Sequence, residues 1–342
     1  MLSVYVLENG ITVKKVPWND DGTLPKGAVW IDLLEPTTTE EERVETVLGV
    51  NAPTREEMEG IEFSSRFYEE GDGIFMTATL LTRADTDEPE NIACTFILTK
   101  DIVVTIRYGS ARAFSIYESR ILKHPTFCSS GELVLINLLE TLVERMADVL
   151  EAVGRQAEDV SRLIFSSRAI GGDAAPKPRK HLVRKQLNID DDNTLQQVLR
   201  KLGRQNELIH KAQDSIVSIT RLLAFWLNVK PAWSQESVRA REKSVSRDLR
   251  ALGEHAAALS AKVSFLLDAN LGLINIEQNN IIKLFSVVAV VFLPPTLIAS
   301  IYGMNFEFMP ELGWHLGYPL ALCLMVVSAI TPYWYFKRRD WL

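Results

Sequence analysis

Two long apolar stretches near the C-terminus dominate the hydrophobic pattern of the chain. Residues 284–302 include no charged side chain, and residues 312–336 are interrupted only by His315. A helix of about 20 apolar residues crosses the ~30 Å hydrocarbon core of a bilayer. The pattern therefore predicts membrane-spanning helices at 284–302 and 314–336, in preference to a buried hairpin of a soluble protein. Aromatic residues typical of the membrane–water interface flank the second stretch: Trp314, Tyr318, Tyr333, Trp334 and Tyr335.

The charges around these stretches predict their orientation. Lys283 precedes the first stretch and a basic tail, 337–342, follows the second, whereas the connection 303–313 holds acidic residues and neither lysine nor arginine. Because positive charge stays on the cytoplasmic side, both termini should be cytoplasmic and the connection should lie outside the cell membrane. The first residues lack the basic and apolar regions of a signal peptide, so the residues before the first span should stay in the cytoplasm.

Residues 1–130 predict a compact α/β domain. Runs of β-forming residues occur at 29–33, 74–81 and 102–107, separated by helical stretches that follow turn signals. One helix start is predicted at Thr38 and Glu41, which have the spacing of a capping box. The acidic residues of this first turn also suit the positive end of the helix dipole.

Residues 131–283 predict an α-helical stalk or funnel, with breaks near 171–176 and 230–231. Along the last stalk helix, apolar residues recur in alternating steps of four and three, as in a helix that packs lengthwise against partners. The partners could be helices of the same chain, but continuation of the pattern into the first span favours other subunits. The members of this heptad seam are Val245, Leu249, Leu252, Ala256, Leu259, Val263 and Leu266.

A polar stripe continues this pattern into the membrane. No break separates the stalk from the first span, so one helix is predicted over 234–302, with the Pro294-Pro295 pair inside it. A polar stripe in a membrane helix faces other helices or water. Close helix packing explains it, and so does an ion path, which requires several copies because two spans cannot enclose a pore. The stripe comprises Ile282, Ser286, Ala289, Leu293, Thr296, Ser300 and Gly303.

Composition and motifs exclude several function classes. A net charge of −7 argues against nucleic acid as a partner, because phosphate binding requires a basic face. The three cysteines, Cys94, Cys128 and Cys323, are far apart, and the five histidines have no paired-ligand spacing, so a zinc site or a disulfide framework is not expected. With no nucleophile elbow or phosphate-binding loop in the sequence, an enzyme is not expected either.

The segment Tyr302-Gly303-Met304-Asn305, followed by Met309-Pro310-Glu311-Leu312, closely resembles the signature of the CorA magnesium transporter family. The resemblance extends from about Ile274 to the basic C-terminus and includes the strand Trp30-Ile31-Asp32-Leu33. It implies a homopentamer in the lipid bilayer, with one cytoplasmic α/β domain per subunit and the first spans around the ion path. The fold class is then an α+β membrane protein with a helical stalk and two C-terminal transmembrane helices.

The same resemblance implies roles along the path. Gly303, Met304 and Asn305 would form the selectivity filter, in which five Asn305 amides meet the hydrated ion beside the Gly303 carbonyls. Asn279 and Thr296 would be polar rings further in, and Ile282 and Leu293 would be apolar constrictions. A basic ring at the inner mouth would contain Lys337, Arg338 and Arg339.

Magnesium suits such a filter on independent chemical grounds. Mg²⁺ gives up its waters reluctantly, so a filter can recognise the hydrated ion through its waters. Amide oxygens accept hydrogen bonds from that water without the charge that would trap a divalent cation. Glu307 and Glu311 in the outer loop would raise the local cation concentration. No organic cofactor is expected, since membrane voltage supplies the driving force.

The resemblance also implies that cytoplasmic magnesium, held by carboxylates between subunits, closes the channel. The pair selected here is Asp87 with Asp248. The other candidates are Asp85, Glu88 and Glu90 in the same loop as Asp87, and Glu242 and Asp268 on the stalk. The predicted function is thus voltage-driven Mg²⁺ influx, which Co²⁺ and Ni²⁺ could share. Two alternatives remain open: the zinc-transporting branch of the same superfamily, and a non-conducting tether that only anchors a coiled coil to the membrane.

Overall fold

The computed structural model describes residues 1–18, 23–60, 62–166, 194–229, 231, 233–304 and 309–339. The chain divides into two compact units, Met1–Leu267 and Asp268–Leu342. The first unit contains a mixed sheet with its covering helices, and the second contains the apolar C-terminal helices. The predicted break at 171–176 lies outside the described residues.

The N-terminal unit is built on a seven-stranded sheet with the order β2-β1-β3-β7-β6-β5-β4. Every neighbouring pair is antiparallel except β3 and β7 at the centre, which are parallel. The three predicted β-type runs correspond to β3, β5 and β7. The strands are β1 (Leu2–Glu8), β2 (Thr12–Val16), β3 (Ala28–Leu34), β4 (Phe67–Glu70), β5 (Gly73–Thr82), β6 (Glu90–Leu98) and β7 (Val103–Arg107).

Short helices connect these strands. Three of them, α1 (Thr38–Leu48), α2 (Arg55–Glu59) and α3 (Phe63–Arg66), lie between β3 and β4, and α4 (Arg112–Lys123) follows β7. On one face of the sheet, Val44 of α1 and Met58 of α2 are fully buried. The apolar strand residues packed into the same core are Val4, Val6, Ile31, Leu33, Phe75, Ile97, Val104 and Ile106.

The opposite face of the sheet carries an aromatic cluster. The ring of Trp30 in β3 stacks on Tyr5 of β1, with a centroid separation of 4.3 Å. Tyr117 of α4 packs against the same indole with its centroid 5.4 Å away. Alternation along the strands thus places Trp30 and Ile31 in separate cores, as expected for a sheet covered on both faces.

The first helix begins one residue earlier than predicted. Its N-cap is Thr37, whose backbone N–H donates to the Glu40 carboxylate at 3.0 Å. The predicted pairing of Thr38 with Glu41 is therefore wrong by one position. Three consecutive threonines make the local signal ambiguous. A tertiary contact favours Thr37 as the N-cap, because Glu40 also accepts a 3.0 Å hydrogen bond from the amino terminus of Met1.

Three long helices follow, as the sequence predicts. They are α5 (Gly131–Ser166), α6 (Thr194–Val229) and α7 (Glu236–Tyr302). Helix α6 covers the part of β5 that β4 leaves unpaired, where the hydroxyls of Ser218 and Ser215 accept hydrogen bonds from the backbone N–H groups of Thr79 and Leu81 at 2.8 and 3.3 Å. This contact closes an open sheet edge.

The heptad seam of α7 is buried inside its own chain. Among its members Leu249, Ala256 and Val263 are fully buried. A Cβ atom on Gly154 of α5 would lie 3.5 Å from Leu259, and Lys262 Nζ lies 2.6 Å from the Glu158 carboxylate of the same helix. The expectation that this seam packs against other subunits is therefore wrong, since α5 and α6 cover it.

The C-terminal unit contains the end of α7 and helix α8 (Gly317–Arg338). In the described part of the chain, two helices are long and apolar enough to cross a membrane, one within α7 and the other α8. Their apolar side chains are largely exposed in the single chain, for example Phe285 at 68% and Phe292 at 65%. An α/β domain, long helices and two apolar C-terminal helices confirm the predicted fold class.

Candidate ion pathway

The polar stripe lies along one face of α7. Asn279, Ile282, Leu293 and Thr296 are separated by three, eleven and three residues, which brings them to the same side of a helix with 3.6 residues per turn. All four are exposed in the single chain, Ile282 at 61% and Leu293 at 64%. The structure thus places the four predicted pore-lining residues on one uncovered surface.

The hydroxyl groups on this face donate to their own helix. Ser286 Oγ donates to the carbonyl of Ile282 at 2.8 Å, and Thr296 Oγ1 donates to the carbonyl of Phe292 at 2.7 Å. Each hydroxyl has used its one proton, so its oxygen presents only lone pairs to the outside. Such oxygens accept hydrogen bonds from water, including the water around a cation.

The Pro294-Pro295 pair sits inside α7 without ending it. A proline has no backbone N–H, so the carbonyls of Val290 and Val291 lose their usual donors from the next turn. Membrane helices tolerate such groups where a polar partner or water can reach them. These two carbonyls add acceptors near the middle of the span.

The first span ends in a tight turn at Gly303. The Gly303 N–H donates to the Ala299 carbonyl at 2.9 Å, and the Met304 N–H donates to the Ile301 carbonyl at 3.2 Å. A Cβ atom on Gly303 would lie 3.1 Å from the Ala299 oxygen, closer than side chains normally approach. Glycine therefore lets the chain turn directly after the last helical residue, Tyr302.

The rest of the predicted filter and outer loop is only partly described. Met304 is 47% exposed beyond the turn. Asn305 and Glu307 lie outside the described residues, and Glu311 belongs to the short 3-10 helix Pro310–Gly313. Their assignment to the filter and to cation attraction stays a prediction.

The basic residues predicted for the inner mouth stand at the end of α8. Lys337 and Arg338 occupy its last turn, and Arg339 follows it; all three are exposed. The guanidinium of Arg338 lies 5.3 Å from the ring centroid of Trp334, and that of Arg339 lies 5.6 Å from the ring centroid of Tyr335. These contacts direct both arginines along the side of their own helix.

The two carboxylates predicted to hold regulatory magnesium lie on different elements. Asp87, in the turn between β5 and β6, forms an ion pair with Arg204 of α6, and Asp248 is exposed on α7. Nearby, hydrogen bonds from Arg145 and Arg112 hold the pKa of Asp85 below its usual range. Among the described residues, no three acidic, histidine or cysteine side chains converge as a metal site. A metal held here within one chain would have to displace these arginine contacts.

Sequence reasoning missed one buried carboxylate. Glu132, at the start of α5, accepts hydrogen bonds from the Ser234 hydroxyl and from the backbone N–H of Gln235, the latter at 3.0 Å. It thereby anchors the residues that precede α7. From sequence alone Glu132 resembles an ordinary acidic residue of a first helical turn, and no local signal indicates partners about a hundred positions away.

Comparison with known proteins adds independent information. The family model of the CorA-like Mg²⁺ transporter protein matches residues 25–172 and 178–338. The Magnesium transport protein CorA of Pectobacterium atrosepticum is 37% identical over 342 residues, covering all of both chains. Relatives so similar over the full length are named as transport proteins, not as enzymes.

Solved structures support the fold. The complete structure of the CorA magnesium transporter from Methanocaldococcus jannaschii matches with a TM-score of 0.69 at 17% identity, covering 100% of this chain and 99% of that one. The ZntB cytoplasmic domain from Vibrio parahaemolyticus matches with a TM-score of 0.55 at 9% identity, covering 80% of this chain and 97% of that one. At these identities the likeness concerns the fold alone. The family model and the full-length relative identify the family: the chain belongs to the CorA-like Mg²⁺ transporter family.

Proposed function

We propose that this chain is the subunit of a homopentameric channel that conducts Mg²⁺ into the cell. The observation that carries the proposal is the exposed face of α7, where hydroxyl oxygens and Asn279 alternate with Ile282 and Leu293 and lead to the turn at Gly303. Family membership supports magnesium as the cargo, because the Pectobacterium relative is named a magnesium transport protein.

The ion would pass hydrated, and the protein would recognise it through its water. Acceptor oxygens without formal charge bind first-shell water weakly enough for release. Asn305 amides would select the ion at the outer end, and Glu307 and Glu311 would concentrate cations before it. Co²⁺ and Ni²⁺, also divalent and hydrated, would share the path.

Membrane voltage would drive the influx. A divalent ion gains about 4.6 kcal/mol per 100 mV of inward-negative potential, twice the value for one elementary charge. In the proposed orientation the N-terminal unit and the basic end of α8 face the cytoplasm and the Gly303 turn faces outward from the inner membrane. Binding of cytoplasmic Mg²⁺ between subunits, at carboxylates such as Asp87 and Asp248, would close the channel.

A flux experiment tests the proposal. Purified protein in liposomes that contain a Mg²⁺-sensitive dye should admit Mg²⁺ under an inward-negative potassium diffusion potential, and Zn²⁺ should compete less well than Co²⁺ or Ni²⁺. Preferential Zn²⁺ uptake would support the zinc-transporting alternative. Absence of any divalent flux would support the non-conducting tether.

A substitution of Asn305 tests its proposed role in the selectivity filter. Asn305→Ala should lose discrimination between Mg²⁺ and other cations, because methyl groups would replace the amides that meet the hydrated ion. Asn51→Ala is the matched control, since the Asn51 amide donates to Glu70 in the N-terminal unit and belongs to neither predicted span nor to the predicted filter. Equal selectivity in Asn305→Ala and the control would refute the filter role.

A further inference from the structure

A cleft of about 280 Å³ in the N-terminal unit is lined by residues of α3, β4, β5 and α6. Its volume lies just below the ~300–1,000 Å³ of sites for drug-sized ligands, so it suits a small ion. None of the lining residues belongs to the proposed ion path. They are Arg66, Phe67, Thr79, Asp214, Val217, Ser218 and Arg221.

Two hydrogen bonds hold the side chain of Arg66 at the wall of this cleft. Its Nε–H donates to the Gly60 carbonyl at 2.6 Å, and its Nη1 donates to the Thr79 hydroxyl at 3.1 Å. The Nη2 group has no acceptor among the residues that the structure describes. The guanidinium of this half-buried residue is therefore fixed in orientation, while part of its donor fork is left for a ligand.

Arg221 of α6 brings a second guanidinium to the same cleft. Within the described part of the chain, neither Arg66 nor Arg221 forms an ion pair with a carboxylate. Burial, and then the neighbouring charge of Arg221, lower the pKa of Arg66. Guanidinium groups nevertheless stay protonated at neutral pH, so two like charges share the cleft. An anion bound beside both would offset their repulsion.

The other charge in the lining does not cancel this positive pair. Asp214 is the only acidic side chain among the described residues that line the cleft, and it is exposed. The two arginines exceed it by one charge when it is ionised and by two when it is protonated, so the cleft favours an anion in either state. Ile61, the undescribed residue closest in sequence to the lining residues, carries no charge.

Two hydroxyl groups add neutral donors to the lining. The Ser218 hydroxyl accepts a hydrogen bond from the Thr79 N–H at 2.8 Å, and the Thr79 hydroxyl accepts one from Arg66. In the residues described, neither hydroxyl donates to an acceptor, so each keeps a proton for a ligand. Guanidinium and hydroxyl donors around one small space are the groups that bind oxyanions.

We propose that this cleft binds a small oxyanion of the phosphate or sulfate class. Arg66 and Arg221 supply the compensating charge, and the hydroxyls of Thr79 and Ser218 donate to its oxygens. Asp214 opposes binding and so limits the affinity. Because Arg66 directly precedes β4 and Arg221 lies on α6, the bound ion links the edge of the sheet to the helix that covers it.

Sulfate is the probe, because it stays doubly charged near neutral pH. Isothermal titration calorimetry on the purified full-length chain in detergent should show saturable binding of one sulfate per chain. Sodium chloride keeps the ionic strength constant, so general screening does not change during the titration. Inorganic phosphate should displace the sulfate. The proposal fails if no saturable binding occurs or if phosphate does not compete.

Arg221→Gln locates the site, because Arg221 is exposed and its loss leaves the contacts of Arg66 with Gly60 and Thr79 in place. Sulfate binding should weaken about tenfold, as expected for the loss of one charge-assisted hydrogen bond. Arg155→Gln is the matched control, since it removes the same charge from α5, where Arg155 pairs with Glu151. Equal effects of the two variants would place the sulfate elsewhere and overturn the assignment.

Two further variants test the chemistry of the cleft. Asp214→Asn should strengthen sulfate binding about threefold, because it removes a repelling carboxylate; equal or weaker binding would contradict the proposal. Arg66→Lys keeps the charge but loses the planar fork, so binding should weaken about tenfold, and unchanged affinity would contradict the role of Arg66. Sulfate binding is measured without ion flux, so its result is independent of the proposed function.

Discussion

Asp32 and Arg107 form a buried ion pair at the centre of the sheet. The Arg107 guanidinium donates to both carboxylate oxygens, with Nη2–Oδ2 and Nε–Oδ1 distances of 2.7 and 3.1 Å. Thr105 donates to Asp32 at 2.7 Å and accepts from the Trp30 indole at 3.0 Å, and Arg107 lies 4.2 Å from the ring centroid of Phe114. Every charge and hydroxyl of this network has a partner, which is the condition for a stable buried ion pair.

We expect Asp32→Ala to destabilise the protein severely. Removing one member of a buried pair leaves the other charge uncompensated and costs about 3–5 kcal/mol. Thermal unfolding followed by tryptophan fluorescence should show a midpoint lower by about 10 °C. Glu59→Ala breaks only the exposed pair with Arg55 and serves as the control; a similar shift in both variants would contradict the prediction.

Sequence patterns identified individual residues better than their partners. A charge within the apolar run Trp30-Ile31-Asp32-Leu33 was visible, but Arg107 stands 75 positions further on, and only the pairing of β3 with β7 brings the two together. The stripe residues were placed on one face because helical spacing alone determines that. Asn305 lies outside the described residues, so its role stays a prediction.

At the scale of elements, periodicity predicted which face of a helix is buried but not what buries it. The long helix was predicted over 234–302 and runs over Glu236–Tyr302. Its heptad seam is buried as the pattern requires, yet by α5 and α6 of the same chain. The spacing of apolar residues indicates only that a helix face is buried, because any apolar surface can cover that face. The first helix shows the same limit, since a tertiary contact of Glu40 selected its cap.

Leu249→Ala should therefore destabilise the subunit itself. Leu249 is fully buried in the seam, and truncation of such a leucine costs about 2–5 kcal/mol through lost burial and the cavity left behind. Circular dichroism during urea unfolding should show the transition at a lower urea concentration. Arg247→Ala, a change at an exposed position nearby on the same helix, should leave the midpoint unchanged. If Leu249→Ala altered only the oligomeric state, the seam would be an intersubunit contact.

At the scale of the whole molecule, the apolar helices have exposed faces that lipid and, in the proposed pentamer, other copies would cover. Two spans cannot surround an ion, and the stripe on α7 is uncovered in the single chain. In a ring with cyclic symmetry, such a surface is buried because the same contact repeats around the axis. The comparison with solved structures supports the fold of one subunit, and the number of subunits is a separate question.

We expect the protein in mild detergent to have a native mass of five chains of 38.5 kDa, plus bound lipid. Native mass spectrometry should resolve this number, and the assembly should persist on dilution because each subunit contacts two neighbours in a ring. A predominant monomer, dimer or tetramer would contradict the pentamer. It would leave the family assignment intact.

The parallel pairing at the centre of the sheet also constrains how the protein is made. Trp30 of β3 aligns with Val103 of β7, 73 positions further along the chain. At a synthesis rate of about 5–20 residues per second, β3 waits roughly 4–15 s for its neighbour. Until β7 is synthesised, the edge of β3 that it will cover has no strand partner. Unpaired strand edges promote aggregation and capture by chaperones, so this interval is one in which the nascent chain is vulnerable.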